Sequence, residues 1–481
     1  MVVVSEQGAG QAGDGAGVPD PDDLTEQHIE AALLGDPHLN ASGTAMGASQ
    51  RQPHHRARLL ALVAAAVVLA TVAVVAPRLA PQGASPRTGQ STASSATPTP
   101  TAAATDGSNA ASARTDPRAL DAELYTLFTT RASAIRRDDA VAWRRTQTSG
   151  THVPVFARLA ALPITNWSYH VESIEASVDQ DSIVVIASVH YRFDVDVTDA
   201  VLTERLTLRY SDSGWLVTRE ATADPRAQPW DLGDLTVAHG RTSLVIGIDV
   251  SRSLVRRYAA IADAVTPDVV AVWGSTWNQR PVVIVPRSAS MLGRGLGRTA
   301  TSLDDFAAVT VSVGGTAAKS AMRIWTNTTG MASLSGLGRE IVMRHEITHV
   351  ATAAPLTPSV PLWLEEGFAE YVGYLGTRIP ASVALGELAN AVRTSHAPRH
   401  LPTASSFSGS QVDVAYEAAD LACRQIAETY GQPALVRLYR LTVSGTGPAA
   451  ANVDAALIKV TGHGTAAFEV AWRSRMSWLV P

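Results

Sequence analysis

The apolar positions change period along the chain, and each change marks an element. In "DPRALDAELYTLFTTRASAIRRDDAVAWRRT", Leu120, Leu124, Leu127 and Phe128 recur at helical spacing, which predicts a helix from Asp116 onwards. Four runs follow: "SYHVESIEASV", "DSIVVIASVHYRFDV", "AVLTERLTLRY" and "GWLVTRE". They are β-branched and aromatic, partly alternating, with Asp, Ser or Gly between them, and predict strands. "ADPRAQPWDLGDLTVAHGR" (223–241) reads as a connector, and a new pattern starts at Thr242. "SLVRRYAAIADAVTPDVVAVWG" predicts a helix running towards a strand, and "RPVVIVPRS", "FAAVTVSVGG" and "AMRIWTNT" predict three strands. "GRGLG" (293–297) lacks the strand–helix setting of a phosphate cradle and reads as a flexible loop.

The first 115 residues follow different rules. Residues 1–56 form an acidic tail rich in Gly, Ala and Asp, expected to be disordered. "LLALVAAAVVLATVAVVA" (59–76) carries no charge over a length that spans about 27 Å as a helix, close to the hydrocarbon core of a bilayer. A transmembrane helix is therefore expected over 57–77. A signal peptide would need a far shorter leading segment. Arg51, Arg56 and Arg58 precede the run, against Arg78 and Arg87 after it, which favours a cytoplasmic N-terminus. Residues 78–115 are rich in Ser, Thr, Ala and Pro and read as a stalk. The expectation is a single-pass cell-membrane protein with its C-terminal domains outside the cytoplasm.

Composition narrows the chemistry. A formal net charge of −5 and the lack of a basic cluster give no case for nucleic-acid binding. The single cysteine, Cys423, permits no intrachain disulfide and no cysteine-rich metal site; in "ADLACRQIAETY" it reads as a buried structural thiol. Asp181, Asp194, Asp196 and Asp199 read as solvated strand ends and turns.

One stretch carries candidate chemistry. "RHEITHVATAAP" (344–355) puts His345 and His349 on one helix face, one turn apart, where they can share an ion. Glu346 lies beside them, and Met343, Ile347, Val350 and Ala354 form an apolar stripe on the other side. Further on, "PLWLEEGFAEYVGYL" (361–375) starts with a proline suited to open a helix, with Leu362, Glu366, Ala369 and Glu370 at helical spacings. A second helix packed across the first can project a carboxylate onto the ion.

"HEITH" followed by "WLEEGFAEY" resembles the gluzincin zinc metallopeptidases, the thermolysin-like and zinc-aminopeptidase-like enzymes, specifically over 345–371 and more loosely over 242–440. The resemblance implies Zn²⁺ held by His345, His349 and Glu366, with a fourth position open for water. It implies Glu346 as general base and Glu370 as acceptor of the other ring N–H of His345. Glu365 is expected on an exposed acidic helix face. "DVAYEAADLACRQIAETYG" (413–431) resembles the later helix that supplies an oxyanion donor. That makes Tyr416 the candidate, the other reading being a buried core tyrosine. His396, His400 and His463 lie in loop-like sequence and are expected to be exposed. The family's substrate-binding edge strand corresponds to "AMRIWTNTTG" (321–330). The Gly-Ala-Met-Glu-Asn segment of the aminopeptidases is absent, which favours an endopeptidase or processing enzyme.

The order of elements over 116–222 resembles the NTF2-like or cystatin-like α+β folds, without a motif that speaks to function. The expected architecture is thus α+β throughout: a membrane helix, a helix with a curved antiparallel sheet over 116–222, and a metallopeptidase domain over 242–481 acting on a peptide or protein substrate. The alternative is a surface binding or scaffold protein that keeps the fold but has weak or no activity.

Overall fold

The computed structural model describes residues 117–480, apart from 153, 177–180, 300–302, 304–305 and 315–319. The expected tail, membrane helix and stalk lie outside these residues. Among the described residues, no helix is long and apolar enough to cross a membrane. The architecture is α+β with two mixed five-stranded sheets.

The first helix, α1 (Pro117–Arg136), buries Leu124, Leu127 and Phe128. The chain turns at Asp138 (φ 54°), and Asp139 caps the next short helix by accepting from the N–H groups of Val141 and Ala142. The strands are β1 (Gln147–His152), β2 (Ile164–Ala176), β3 (Ser182–Phe193), β4 (Ala200–Ser211) and β5 (Gly214–Thr222), in sheet order β1-β5-β4-β3-β2. Only β1 and β5 run parallel. On β3, Val185, Ala187, Val189, Tyr191 and Phe193 all face inwards, the period-2 pattern that the sequence displays.

The buried face of this sheet also carries charge. Arg131 is fully buried, 3.5 Å from the Trp143 ring centroid, and donates to Glu220 and to the Thr146 hydroxyl (2.9 Å). Glu204, on the inward face of β4, accepts from the Thr222 hydroxyl at 3.0 Å. Burial, then the charge of Glu220, pushes Glu204 up to about 9. A carboxyl raised in this way is neutral when folded and ionised when unfolded at neutral pH. The resulting cost is absent below the unfolded value of 4.5 and grows as pH climbs towards 9. At about 1.4 kcal/mol per pH unit, it reaches up to about 3 kcal/mol at pH 7. Glu204→Gln is therefore expected to stabilise the protein at pH 8 and to change little at pH 4.5. Urea unfolding at both values tests this, and an equal shift at the two would exclude it.

The second sheet consists of β6 (Leu235–His239), β7 (Leu244–Ile248), β8 (Val282–Pro286), β9 (Ala308–Val313) and β10 (Ala321–Thr326), in order β6-β7-β8-β10-β9. The three inner strands are parallel, and both edges are antiparallel. Several expectations change here. The connector at 223–241 contributes a short helix, Pro229–Leu232, and the edge strand β6. The run 253–274 does not pass into a strand: α2 (Arg252–Trp273) continues through Pro267, because Val265, Val269 and Trp273 keep the helical face buried. "GRGLG" is not a loop but the end of the helix Ala289–Leu296. A Cβ on Gly295 would overlap the Trp325 ring, and Gly297 (φ +66°) closes the helix. Finally, β10 is an interior strand, and the free edge is β9.

The remaining helices of eight residues or more are α3 (Gly336–Thr352), α4 (Leu362–Tyr374), α5 (Gly386–Arg393), α6 (Val412–Tyr430), α7 (Gln432–Val443), α8 (Ala449–Thr461) and α9 (Thr465–Met476). Together with α2 they enclose the largest core. A second core lies between the sheets and draws on both: Trp167, Tyr191, Phe193 and Trp230 pack with Leu244, Ile246, Ile284 and Trp325. Asp196 is not a solvated turn residue. Its side chain is 5% exposed and paired with Arg323 of β10 across this junction.

Candidate metal centre

Two helices cross to build the site. α3 starts at Ser335, whose hydroxyl accepts from the Gly338 N–H (3.0 Å), and ends at Ala353 in the left-handed region (φ 54°). α4 lies against α3 on one side and α6 on the other, and Gly367 sets the approach to α6. A Cβ on Gly367 would overlap the Ala419 carbonyl of α6, and one on Gly373 would touch the His345 side chain at 3.6 Å. Gly367→Ala is expected to push α4 off α6, costing about 1–3 kcal/mol and weakening ion binding. Thermal unfolding and a metal titration check it; unchanged values in both would contradict this account of the helix contact.

The crossing brings three ligand atoms together. His345 Nε2 and His349 Nε2 are 2.9 Å apart, and Glu366 Oε2 lies 3.5 and 3.4 Å from them. Donors about 2.0–2.1 Å from one tetrahedral ion are separated by about 3.3–3.4 Å, so this triangle has the size of one face of such a site. All three residues are at most 1% exposed, and neither Glu366 oxygen has a hydrogen-bond partner. Buried carboxylate oxygens without donors are costly unless a cation meets them. The group can hold a metal ion.

The buried acids and histidines shift one another. Burial alone would lower the His345 imidazole, but Glu366 and Glu370 outweigh it and hold it well above its usual value. Burial acts to raise Glu366, and the two histidines reverse this and pull it down. Glu365 departs from the sequence reading: it is 8% exposed, turned inwards, and burial followed by the Glu366 charge pushes it well up. Glu365 looks like part of a solvated face in sequence, but α4 is covered on both sides.

Glu346 is fully buried beside the ligands, and burial raises it against the pull of His345 and His349. Its Oε2 accepts from the Thr310 hydroxyl at 2.6 Å, while Oε1 is unpartnered. Thr310 had no motif to mark it; only the alternation of "FAAVTVSVGG" places it on the helix-facing side of β9. The Asn327 N–H donates to the Ala307 carbonyl (2.8 Å), and this pairing turns the backbone of Ala308, Thr310 and Ser312 away from β10, towards the free edge. The Ser312 carbonyl on that edge accepts from Arg226 (3.2 Å).

Glu370 Oε1 stands 3.3 Å from His345 Nδ1, on the side away from the other ligands. Tyr416 is fully buried in the large core, edge-on to Phe407 at 5.0 Å, and so has the burial of a core tyrosine. Cys423 is buried, and His396, His400 and His463 are exposed. No protein-family model matches the chain, and no curated protein is similar to it in sequence.

Proposed function

We propose that the chain is a zinc metallopeptidase of gluzincin type that hydrolyses peptide bonds as an endopeptidase or processing enzyme. It is anchored in the cell membrane by residues 57–77, with its catalytic part outside the cytoplasm. The observation that carries this reading is the closure of the His345–His349 pair by Glu366 from a separate helix, with Glu346 alongside and its Oε1 unpartnered. Zn²⁺ held by His345, His349 and Glu366 would supply Lewis acidity and a water that ionises near neutral pH. Glu346 would take a proton from the attacking water and return it to the leaving amine. The Thr310 hydroxyl fixes one oxygen of Glu346 and leaves the other to receive the proton. Glu370 Oε1, 3.3 Å from Nδ1 of His345, would hold that edge of the ring by charge and so leave Nε2 to face the ion. Tyr416 is the proposed donor to the developing oxyanion. The outward backbone of β9, at Ala308 and Thr310, offers pairing to an extended peptide.

A second reading is favoured by enclosure, since His345, Glu346, His349 and Glu366 are each at most 1% exposed. In that reading the ion is structural and the chain is a binding or scaffold protein. Metal analysis followed by a peptide-library digest, with and without a chelator, separates the two. Chelator-sensitive cleavage supports the peptidase; one bound zinc with no cleavage supports the scaffold.

A further inference from the structure

Beyond Glu370 lies a partly buried ion pair that the proposed mechanism does not use. Gly367 of α4 packs against Ala419 of α6, the residue before Asp420, and Arg424 reaches Tyr374, one turn beyond Glu370 on α4. Asp420 is 1% exposed. Arg424, one helical turn on, donates from Nε to its Oδ2 at 2.7 Å, and the guanidinium stands 5.8 Å from the Tyr374 ring. Glu370 and Asp420 repel each other, and both attract Arg424. Glu370 Oε1, Asp420 Oδ1 and Arg424 Nη2 have no hydrogen bond, so charge rather than a saturated network holds this layer together. Two buried carboxylates that repel each other need a cation to keep both in place.

We propose that Arg424 is a positioning residue for the metal centre. Through Asp420 it holds the Glu370 carboxylate against the Nδ1 edge of His345, and so fixes the ring that presents Nε2 to the ion. Without the guanidinium, Asp420 repels Glu370 and His345 loses its partner. Loss of such a partner loosens a metal by roughly ten- to a hundredfold. The inference rests on the metal-centre reading above, but not on peptidase activity.

The test uses the full chain with Arg424→Gln, Arg424→Lys and the double variant Asp420→Asn/Arg424→Gln. Three quantities are measured: Zn²⁺ affinity against a chromophoric chelator, the visible spectrum of the Co²⁺-loaded protein, and thermal unfolding of the metal-free protein. Arg424→Gln is expected to bind Zn²⁺ roughly ten- to a hundredfold more weakly and to shift the Co²⁺ bands. Arg424→Lys restores most of both, as does the double variant, which removes the repulsion along with the cation. Wild-type affinity and spectrum in Arg424→Gln would overturn the proposal. So would a loss that neither Arg424→Lys nor the double variant repairs, since that marks a packing role only. A wild type that binds neither ion defeats the metal-centre reading itself.

Discussion

Glu346→Gln is expected to retain one equivalent of Zn²⁺ and to lose peptide hydrolysis by roughly a hundred- to ten-thousandfold. The amide has the shape of the carboxylate, and its oxygen can still accept from the Thr310 hydroxyl that now reaches Oε2 at 2.6 Å. Glu346 is not one of the three atoms that close the ligand triangle, so the ion has no reason to leave. What disappears is a group able to take and return a proton. Burial raises the Glu346 carboxyl while His345 and His349 restrain it, which moves it towards the range where a carboxylate works as a shuttle near neutral pH. Metal analysis paired with kcat on a peptide that the wild type cleaves makes the comparison. If the variant turns over at the wild-type rate, Glu346 is not the base; if it loses the ion, the residue belongs to the binding set.

How much of this was legible depends on how local each signal is. His345 and His349 lie four apart on one helix, so their convergence follows from helical geometry alone. Glu366 is reached through a second helix whose own pattern is clear, although only packing decides that Glu365 is buried as well. The first sheet reads well because β3 alternates faithfully between faces. The second sheet reads less well. Leu244–Ile248 is buried on all sides and shows no alternation, and Gly240–Arg241 before it looks like the end of a connector. Pro267 and the glycines of "GRGLG" are breakers by type, yet helix packing on α2 and the Trp325 ring on Gly295 override them. Sheet order is a non-local property, so sequence could not tell that β9, rather than β10, is the edge beside Glu346. Thr310 carries no motif and its partner lies on another element; Asp420 and Arg424 are an i,i+4 pair on one helix, but only packing sets them near Glu370.

Arg323→Ala is expected to cost about 3–5 kcal/mol, because it strands a buried carboxylate rather than merely deleting a contact. Arg323 makes two hydrogen bonds to Asp196, at 2.8 and 2.7 Å, with side chains 2% and 5% exposed, and its guanidinium lies 4.8 Å from the Phe193 ring centroid. Replacing both partners by apolar residues, Asp196→Leu with Arg323→Met, should recover most of the loss, since the cost of a lone buried charge is then gone. Urea unfolding of the two single variants and the double variant gives the comparison. A loss below about 1 kcal/mol for Arg323→Ala, or a double variant as unstable as the single, would show that the pair is not a buried ion pair in solution. The consequence reaches the metal centre through register. Arg323 sits opposite Val311 on β9, next to the Thr310 that holds Glu346. Asp196 is thereby bound to β10, whose neighbour β9 carries the Thr310 that orients the proposed base. Weakening the junction should loosen Glu346 before it loosens His345 and His349, whose partners Glu366 and Glu370 lie on α4, away from the sheet.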